Sequence, residues 1–232
     1  MSAPFLPSMM RHALPLVPTA LRPISDPPSH VPAPPSHWCY GRSDWPACPT
    51  HTRTAAERWQ EAHCQRDGFP HHRPLRIRCS PLQRCELLTQ SFKDLGLSFV
   101  LRIDARLAEI DFGEWEGRLW QDLPHTELDA WAADFAHHRL GRTGQSVRAW
   151  LHTLIPALQD SGWASSDLHA ADDLWITHAG VIRAAQWWWQ AGCPSHVPDT
   201  LSADAWPKTA PAYGHWVGVK PGLGPVLGTA EA

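Results

Sequence analysis

The sequence predicts an α/β fold in which helices cover a largely parallel central sheet. Two observations lead to this prediction. Short apolar segments that suit β-strands alternate with longer segments of helical character along most of the chain, and such alternation is typical of parallel strands joined by crossover helices. A chain of 232 residues can bury one large core, so we expect a single domain over residues 1–232.

The amino-terminal part predicts one short strand, one helix and two loops. Pro7 lies in the segment FLPSMM, which has no aliphatic run, so the first strand is expected to be short. Residues 18–37 are rich in proline and predict an irregular surface loop, which is a candidate lid over a binding site. Residues 54–63 have helical character, and residues 64–74 look like a second loop.

The central part predicts two strands and a helix between them. Apolar residues at Leu75–Cys79 and Phe99–Ile103 are expected to form the strands. The helix is expected to start directly after the first of these strands. Ser80 suits its N-cap, Pro81 suits the first helical position, and Gln83 stands where a capping box places its return residue.

The carboxyl-terminal half continues the alternation. Apolar residues at helical spacing indicate one helix, at Leu128, Trp131 and Phe135. A second helix is expected at about residues 147–158. The segment DDLWITHAGVIRAAQWWW predicts a strand at residues 174–177, a turn and another helix, and a last strand is expected at residues 215–219.

Composition argues against several classes of partner. The formal net charge of −3 gives no general reason to bind nucleic acid or an anionic membrane, so an anion site must be a local cluster of arginines. No apolar run approaches the roughly 20 residues of a membrane span, and the start of the chain does not resemble a signal peptide. The six cysteines include no Cys-x-x-Cys pair, so we expect free thiols and a cytoplasmic protein.

Polar side chains follow three of the expected strands at the points where the strands end. They are Arg11 and His12 after the first strand, Ser80 and Arg84 after the second, and His178 after the strand at residues 174–177. Because ligands bind outside the carboxyl ends of parallel strands, two arginines and two histidines should meet at one place. Backbone N–H groups at the helix starts near Arg84 and Gly180 should each add about 0.3–1 kcal/mol toward an anion. The sequence therefore predicts a phosphate site.

Four segments in this order resemble the histidine phosphatase superfamily, which is phosphoglycerate mutase-like. They are MMRHA, SPLQRCELLTQ, RLAEIDFGEWEG and WITHAGVIRAA, and together they span residues 9 to 185. The resemblance implies a three-layer α/β/α sandwich and a metal-independent phosphomonoesterase that needs no cofactor. The segments CYGRSD and EIDFGEWEG look most like the α-ribazole phosphatase subgroup, which removes a phosphate from a nucleotide of cobalamin biosynthesis.

The resemblance also implies a role for each of five residues. His12 would be the nucleophile that becomes a phosphohistidine. Arg11 and Arg84 would hold the phosphate oxygens, and His178, protonated or donating, would add a hydrogen bond to the same oxygens. Glu109 would protonate the leaving oxygen and later deprotonate the attacking water.

The remaining polar residues near these segments are expected to have other roles. Arg42, from CYGRSD, is a candidate contact to the distal part of the substrate. Asp111, Glu114 and Glu116 are expected to be structural or to lie at the rim, and Arg183 is expected to be a structural arginine on its helix. Two adjacent pairs of histidines lack partners at zinc-like spacing, so no metal ligands are expected there. These are His71–His72 and His137–His138.

Two departures from the family pattern leave alternatives open. Ala13 stands where a glycine is commoner, and Gln145 stands where the family's Gly-Glu-Ser element has glutamate. The leading interpretation is hydrolysis of a small phosphate ester such as α-ribazole phosphate. A phosphoglycerate mutase-type phosphotransferase and a non-catalytic phospho-ligand binder are the alternatives. The natural substrate and the oligomeric state are not predicted.

Overall fold

The computed structural model describes residues 8–21, 35–64, 75–160 and 173–218, and a five-stranded sheet runs through its middle. The strands are β1 Ser8–Arg11, β2 Leu75–Cys79, β3 Phe99–Ile103, β4 Asp173–Thr177 and β5 Trp216–Gly218. Their order across the sheet is β3-β2-β4-β1-β5. Strands β1 to β4 are parallel, and β5 runs antiparallel to β1. The predicted α/β fold with a largely parallel sheet is confirmed.

Helices cover both faces of this sheet. They are α1 Pro49–Cys64, α2 Gln83–Asp94, α3 His125–Ala133, α4 Val147–Gln159 and α5 Ala179–Gln190. Successive residues of a strand point to opposite faces, so Met10 joins a core with α1 and α2, whereas Met9 joins a core with α4 and α5. Trp187 and Trp188 of α5 are both buried in the second core. The molecule therefore has the three layers that the resemblance implied.

Strand β1 is short, as expected, yet it occupies an interior position. Its four residues pair with β4 on one side and with β5 on the other. Met9 and Met10 are fully buried, so the methionines fill the space that an aliphatic run would otherwise occupy. Arg11 pairs with Thr177 in the parallel register. The next residues, His12 and His178, therefore leave the sheet side by side.

Several predicted boundaries differ from the structure. The helix expected at Ser80 begins at Gln83, because the Ser80 hydroxyl is hydrogen-bonded to His178 and Leu82 takes the N-cap position without a side-chain cap. Phe135 lies beyond the end of α3. Helix α1 starts at Pro49, before the predicted residue 54, because Thr52 bonds back to the Cys48 carbonyl and continues the helix toward the amino terminus.

Both predicted loops lie largely outside the described residues. Short 3₁₀ turns occur at Thr19–Leu21 and Pro35–His37, but residues 22–34 of the proline-rich loop and the lid proposed for it fall outside the described part. Residue 64 belongs to α1, and residues 65–74 also fall outside. The single domain over residues 1–232 includes these segments and stays a prediction. Within the described ranges, no helix is both long and apolar enough to cross a membrane.

A buried arginine ties the end of α4 to the sheet. The Arg78 guanidinium donates to the carbonyl oxygens of Ala157 and Asp160 at 2.9 and 3.0 Å, and it lies over the Trp175 ring. Asp104, at the end of β3, faces Arg78 at 3.6 Å and accepts hydrogen bonds from Arg106 at 2.7 and 2.9 Å. This network holds the start of the segment that leads from Asp104 to residue 109.

We expect the free energy of unfolding to depend less on pH in the acid range when Asp104 is replaced by Asn. Burial raises the pKa of Asp104, but the hydrogen bonds and charge of Arg106 and the charge of Arg78 outweigh burial, so this pKa lies below its ordinary value. A lowered folded pKa stabilises the fold above about pH 4, and this contribution is lost as the pH falls through the folded pKa. Asp104→Asn should lower the free energy of unfolding by about 1–3 kcal/mol at pH 7.

Urea unfolding at pH 7, 5 and 3 measures this effect. The difference between Asp104→Asn and the wild type should be constant from pH 7 to 5 and should shrink at pH 3. Asp122→Asn is the control, because Asp122 is exposed and should change little at any pH. A difference that stays the same at pH 3 would contradict the role given to Asp104.

Candidate active site

The carboxyl ends of β1, β2 and β4 bring the predicted polar residues together. His12 follows β1, Ser80 follows β2 and His178 follows β4. The centroids of the two imidazole rings are 5.1 Å apart, and Arg84 reaches the same place from the first turn of α2, with its Nε 3.3 Å from His178 Nδ1. Three distant parts of the chain therefore meet at the predicted edge of the sheet.

A cavity of about 280 Å³ opens at this edge. Its charged walls hold three guanidinium groups and one carboxylate, from Arg11, Arg84, Arg183 and Glu109. His12 also lines it, together with an aromatic set, Trp38, Tyr40, Phe112, Trp120 and Tyr213. Since the positive groups outnumber the carboxylate among the described lining residues, the cavity favours an anionic ligand.

His12 is held as a neutral imidazole with one defined tautomer. It is 2% exposed, and its Nδ1 lies 2.7 Å from the carbonyl oxygen of Ala13. A carbonyl only accepts, so Nδ1 carries the hydrogen and Nε2 keeps its lone pair. Burial, with the positive charges of Arg84 and Arg11, lowers the pKa of His12 well below its ordinary value. The imidazole is therefore neutral at neutral pH, with the lone pair of Nε2 available.

The hydrogen bonds of His178 differ from the predicted hydrogen bond to a phosphate. Its Nδ1 accepts a hydrogen bond from Arg84 Nε, and its Nε2 therefore donates to Ser80 Oγ at 2.7 Å. Burial and the nearby charge of Arg84 lower the pKa of His178 well below its ordinary value. If His178 were protonated, its Nδ1–H would face the Nε–H of Arg84. The contact with Arg84 therefore favours the neutral form. Both of its ring nitrogens are used within the protein.

The Arg84 guanidinium is fixed on three sides. Besides His178, it donates to the carbonyl oxygens of Ser43, at 2.7 Å, and Gly41. Arg84 is completely buried, and none of these acceptors carries a charge. A guanidinium has five N–H donors, so two remain after these three bonds. Arg84 therefore has donors left for an anion in the cavity it lines.

Glu116 organises the loop that supplies those carbonyl groups. Its carboxylate accepts hydrogen bonds from the backbone N–H groups of Gly41, Arg42, Ser43 and Phe112 at 2.9–3.1 Å. The N–H groups of the loop thus face Glu116, and two of its carbonyl groups face Arg84. Glu116 has the structural role that was expected.

The same loop geometry takes Arg42 away from the cavity. Its backbone N–H is bound to Glu116 and its side chain is exposed, so the structure does not bring Arg42 to the place where it was predicted to contact substrate. The other two acidic residues of the segment are structural or lie at the rim, as expected. Asp111 accepts a hydrogen bond from Gly113 N at 2.8 Å, and Glu114 pairs with Arg142 at 3.1 Å.

Glu109 lies against the start of α5. Its carboxylate accepts hydrogen bonds from the backbone N–H groups of Gly180, at 2.8 Å, and Ile110, at 3.2 Å. The helix start predicted to bind phosphate is therefore occupied by the protein's own carboxylate. The start of α2 is occupied in the same way, because Gln83 N donates to Asp44 at 2.7 Å. The N–H groups of Gly180 and Gln83 are therefore not free to bind an anion in the cavity.

Arg11 and two tyrosines form another part of the cavity wall. Arg11 donates to the Pro211 carbonyl at 3.1 Å, lies 3.8 Å from the centroid of the Tyr213 ring, and leaves its buried Nε without a partner among the described residues. The hydroxyl groups of Tyr213 and Tyr40 are 2.7 Å apart. Sequence reasoning missed Tyr213, because no motif surrounds it and only the fold brings residues 211–215 to β1.

Gln145 is hydrogen-bonded to the backbone of Asp111. Its side-chain oxygen accepts a hydrogen bond from Asp111 N at 3.1 Å, and its backbone N–H donates to the Asp111 carbonyl at 2.9 Å. A neutral amide oxygen accepts as a carboxylate would, so the loop is held without the charge. Gln145 does not line the cavity.

Of the two histidine pairs, only His137–His138 lies among the described residues, and it is not part of a group that could hold a metal ion. His137–His138 lies outside the cavity, and His71–His72 lies outside the described residues. Within the ranges that the structure describes, no group of three or more His, Cys, Asp or Glu side chains could hold a metal ion.

A family model matches most of the described part of the chain. Residues 53–205 match the model of the histidine phosphatase superfamily (branch 1). The matched range contains Arg84, Glu109 and His178, whereas Arg11 and His12 lie before it. No significant match was found among curated protein sequences.

Solved structures with the same fold include several phosphate-handling proteins. An Escherichia coli protein assigned as an α-ribazole-5′-P phosphatase is 17% identical, with 81% of this chain and 80% of that chain covered at a TM-score of 0.59. A mycobacterial glucosyl-3-phosphoglycerate phosphatase is 20% identical, with 81% and 82% covered at 0.55. A Thermus thermophilus phosphoglycerate mutase is 20% identical, with 95% of each chain covered at 0.55. At these identities the likeness shows the fold.

We expect His12 and His178 to be neutral and to have opposite tautomers at pH 6. The lowered pKa of each ring keeps it unprotonated there, and the hydrogen bonds place the proton on Nδ1 of His12 and on Nε2 of His178. Long-range ¹H–¹⁵N correlation spectra of the ring nitrogens measure both properties, and His12→Ala and His178→Ala assign the signals. A protonated ring at pH 6, or the same tautomer in both residues, would contradict this assignment.

Proposed function

Because the chain belongs to the histidine phosphatase superfamily (branch 1), we propose that it is a metal-independent phosphomonoesterase that forms a phosphohistidine on His12. One observation carries the proposal. A neutral imidazole whose Nε2 keeps its lone pair lines a cavity whose charged side chains are Arg11, Arg84, Arg183 and Glu109. A nucleophile beside guanidinium groups suits phosphoryl transfer, because cationic groups stabilise the charge on the phosphate oxygens.

In the first step, Arg11 and Arg84 hold the phosphate oxygens by charge-assisted hydrogen bonds. The lone pair of His12 Nε2 forms a bond to phosphorus as the bond from phosphorus to the ester oxygen breaks. Glu109 in its protonated form donates its proton to that leaving oxygen, so the alcohol departs neutral. The charge that spreads over the phosphate oxygens in the transition state is stabilised by the two guanidinium groups.

In the second step, the carboxylate of Glu109 removes a proton from a water molecule as the water oxygen forms a bond to phosphorus. The bond from phosphorus to Nε2 breaks, its electron pair returns to His12, and inorganic phosphate is released. Glu109 ends protonated and the cycle can repeat. The Nδ1–H bond to Ala13 holds the imidazole in one orientation through both steps.

His178 supports this chemistry through Arg84. Its Nδ1 accepts from Arg84 Nε, and its Nε2 is fixed by Ser80. We therefore assign His178 as a positioning residue that fixes the plane of the Arg84 guanidinium, in place of the direct phosphate contact expected from the resemblance.

We further propose a small-molecule phosphate ester as substrate and the cytoplasm as location, with no nucleic acid or membrane partner. The cavity of about 280 Å³ supports a small ligand. The segments CYGRSD and EIDFGEWEG support including α-ribazole 5′-phosphate in a screen of phosphorylated metabolites. The screen also includes 3-phosphoglycerate, whose conversion into 2-phosphoglycerate would identify a mutase instead.

We expect hydrolysis of p-nitrophenyl phosphate to continue in EDTA and to fall at least about 10³-fold in His12→Ala, because the nucleophile is lost. His125→Ala is the matched control, since His125 is exposed on α3. Acid quenching during turnover should trap acid-labile phosphate on His12. Loss of activity in EDTA, or label on another residue, would refute the mechanism. Binding of phosphate esters without turnover would identify a non-catalytic binder.

We expect Gly180→Ala to reduce kcat at least tenfold, up to the roughly 10²–10⁴-fold that acid–base catalysis contributes. A Cβ at residue 180 would overlap the carboxylate of Glu109 and push it from its position. Gly218→Ala is the control, because nothing lies near a Cβ there. Steady-state kinetics with p-nitrophenyl phosphate measure both variants, and an unchanged kcat in Gly180→Ala would show that Glu109 is not the acid.

A further inference from the structure

Arg183 lines the cavity, although the sequence suggested a structural arginine. It stands four residues after Ala179 on α5, so both residues lie on the same face of the helix, and Ala179 also lines the cavity. Side chains on a helix tilt toward its amino terminus. The Arg183 side chain therefore extends back toward the helix start, where Glu109 is bound to Gly180.

The Arg183 guanidinium has an unused donor. Its Nε is buried and has no hydrogen-bond partner among the described residues. A buried donor without an acceptor is unfavourable. The Nε of the structural Arg78 also lacks a hydrogen bond, but it lies 3.6 Å from the carboxylate of Asp104, and the rest of that guanidinium donates to the carbonyls of Ala157 and Asp160. The Arg183 guanidinium has no hydrogen bond or ion pair to any described residue. This contrast indicates that the acceptor for Arg183 comes from a ligand.

The position of Arg183 indicates which part of the ligand it meets. In the proposed function, Arg11 and Arg84 hold the phosphate, and Glu109 gives its proton to the leaving oxygen. Glu109 is bound at the start of the same helix that carries Arg183. The alcohol portion of the substrate, which lies beyond the leaving oxygen, is therefore the portion next to α5.

The cavity around Arg183 limits both the size and the hydration of that portion. Phe112 and Trp120 pack edge to face with ring centroids 5.4 Å apart, and both line the cavity with Trp38. Aromatic walls exclude water and strengthen a charge-assisted hydrogen bond inside them. The planar fork of an arginine matches a carboxylate or a phosphate.

We infer that the substrate is a phosphomonoester whose alcohol portion carries a second anionic group, a carboxylate or a phosphate, and that Arg183 binds this group. The inference rests on the proposed function and adds the substrate class and a specificity-determining residue to it.

Two matched pairs of substrates test the inference. 3-Phosphoglycerate and glycerol 3-phosphate differ by a carboxylate, and glucose 1,6-bisphosphate and glucose 6-phosphate differ by a phosphate. The wild type should prefer the anionic member of at least one pair by about tenfold or more in kcat/KM, mainly through a lower KM. The pair that shows the preference identifies the group as carboxylate or phosphate.

Variants of Arg183 identify the residue responsible. Arg183→Gln should bring the preference close to one, and Arg183→Lys should keep part of it because the charge remains. Arg53→Gln is the matched control, since Arg53 is exposed on α1 and pairs with Glu57. A wild type without preference in either pair overturns the inference. An equal fall in kcat on both members of a pair, with the ratio unchanged, would show that Arg183 acts through Glu109 and would also overturn it.

Calorimetric binding of the same pairs separates this inference from the proposed function. If the wild type hydrolyses no ester but binds the anionic member more tightly, and Arg183→Gln removes the difference, the enzyme proposal fails while the inference about Arg183 stands. If hydrolysis is shown and neither pair is discriminated in kinetics or binding, the enzyme proposal stands and the inference fails.

Discussion

The buried guanidinium of Arg84 is the group on which the geometry of the site depends. Arginine keeps its charge at any working pH, and the three acceptors that surround Arg84 are all neutral. A buried charge without a countercharge is unfavourable, and no carboxylate pairs with Arg84 in the part of the chain that the structure describes. A phosphate dianion would provide that countercharge. The neutral state of His178 follows from the same requirement, because only an unprotonated Nδ1 can accept from Arg84.

The carboxylate of Glu116 completes this arrangement from the other side of the loop at residues 41–43. The loop presents its N–H groups to Glu116 and two of its carbonyl groups to Arg84, so a fixed negative charge and a fixed positive charge lie on opposite sides of one short segment. Gly41 is required between them, since a Cβ there would overlap the backbone of Ile110. The acidic residues of segment 109–116 therefore have different roles, because Glu116 shapes the loop and Glu109 faces the cavity.

Sequence patterns predicted the features that depend on local chemistry. Strands β2 and β3 were located at their observed bounds because their apolar runs are bounded by polar and turn residues, and the meeting of Arg11, His12, Arg84 and His178 follows from parallel strands sharing an edge. The tautomers, the carboxylates at the helix starts and the cavity position of Arg183 were not predicted. Each depends on a contact between residues far apart in the chain, such as Glu109 with Gly180 or Arg84 with Gly41, and local patterns carry no record of such contacts.

The interior place of β1 has a consequence for how the protein folds. Its neighbours in the sheet are β4 and β5, so Met9 pairs with Trp175 on one side and Val217 on the other. Loop closure over such separations is entropically expensive and slow. Helix α2 packs on β2 through contacts that are local in sequence, but the imidazole of His12 reaches its position only when both ends of the chain have been inserted into one sheet. Catalytic activity would therefore appear only after β1 has paired with β4 and β5. A collapsed intermediate with near-native helix content would be inactive.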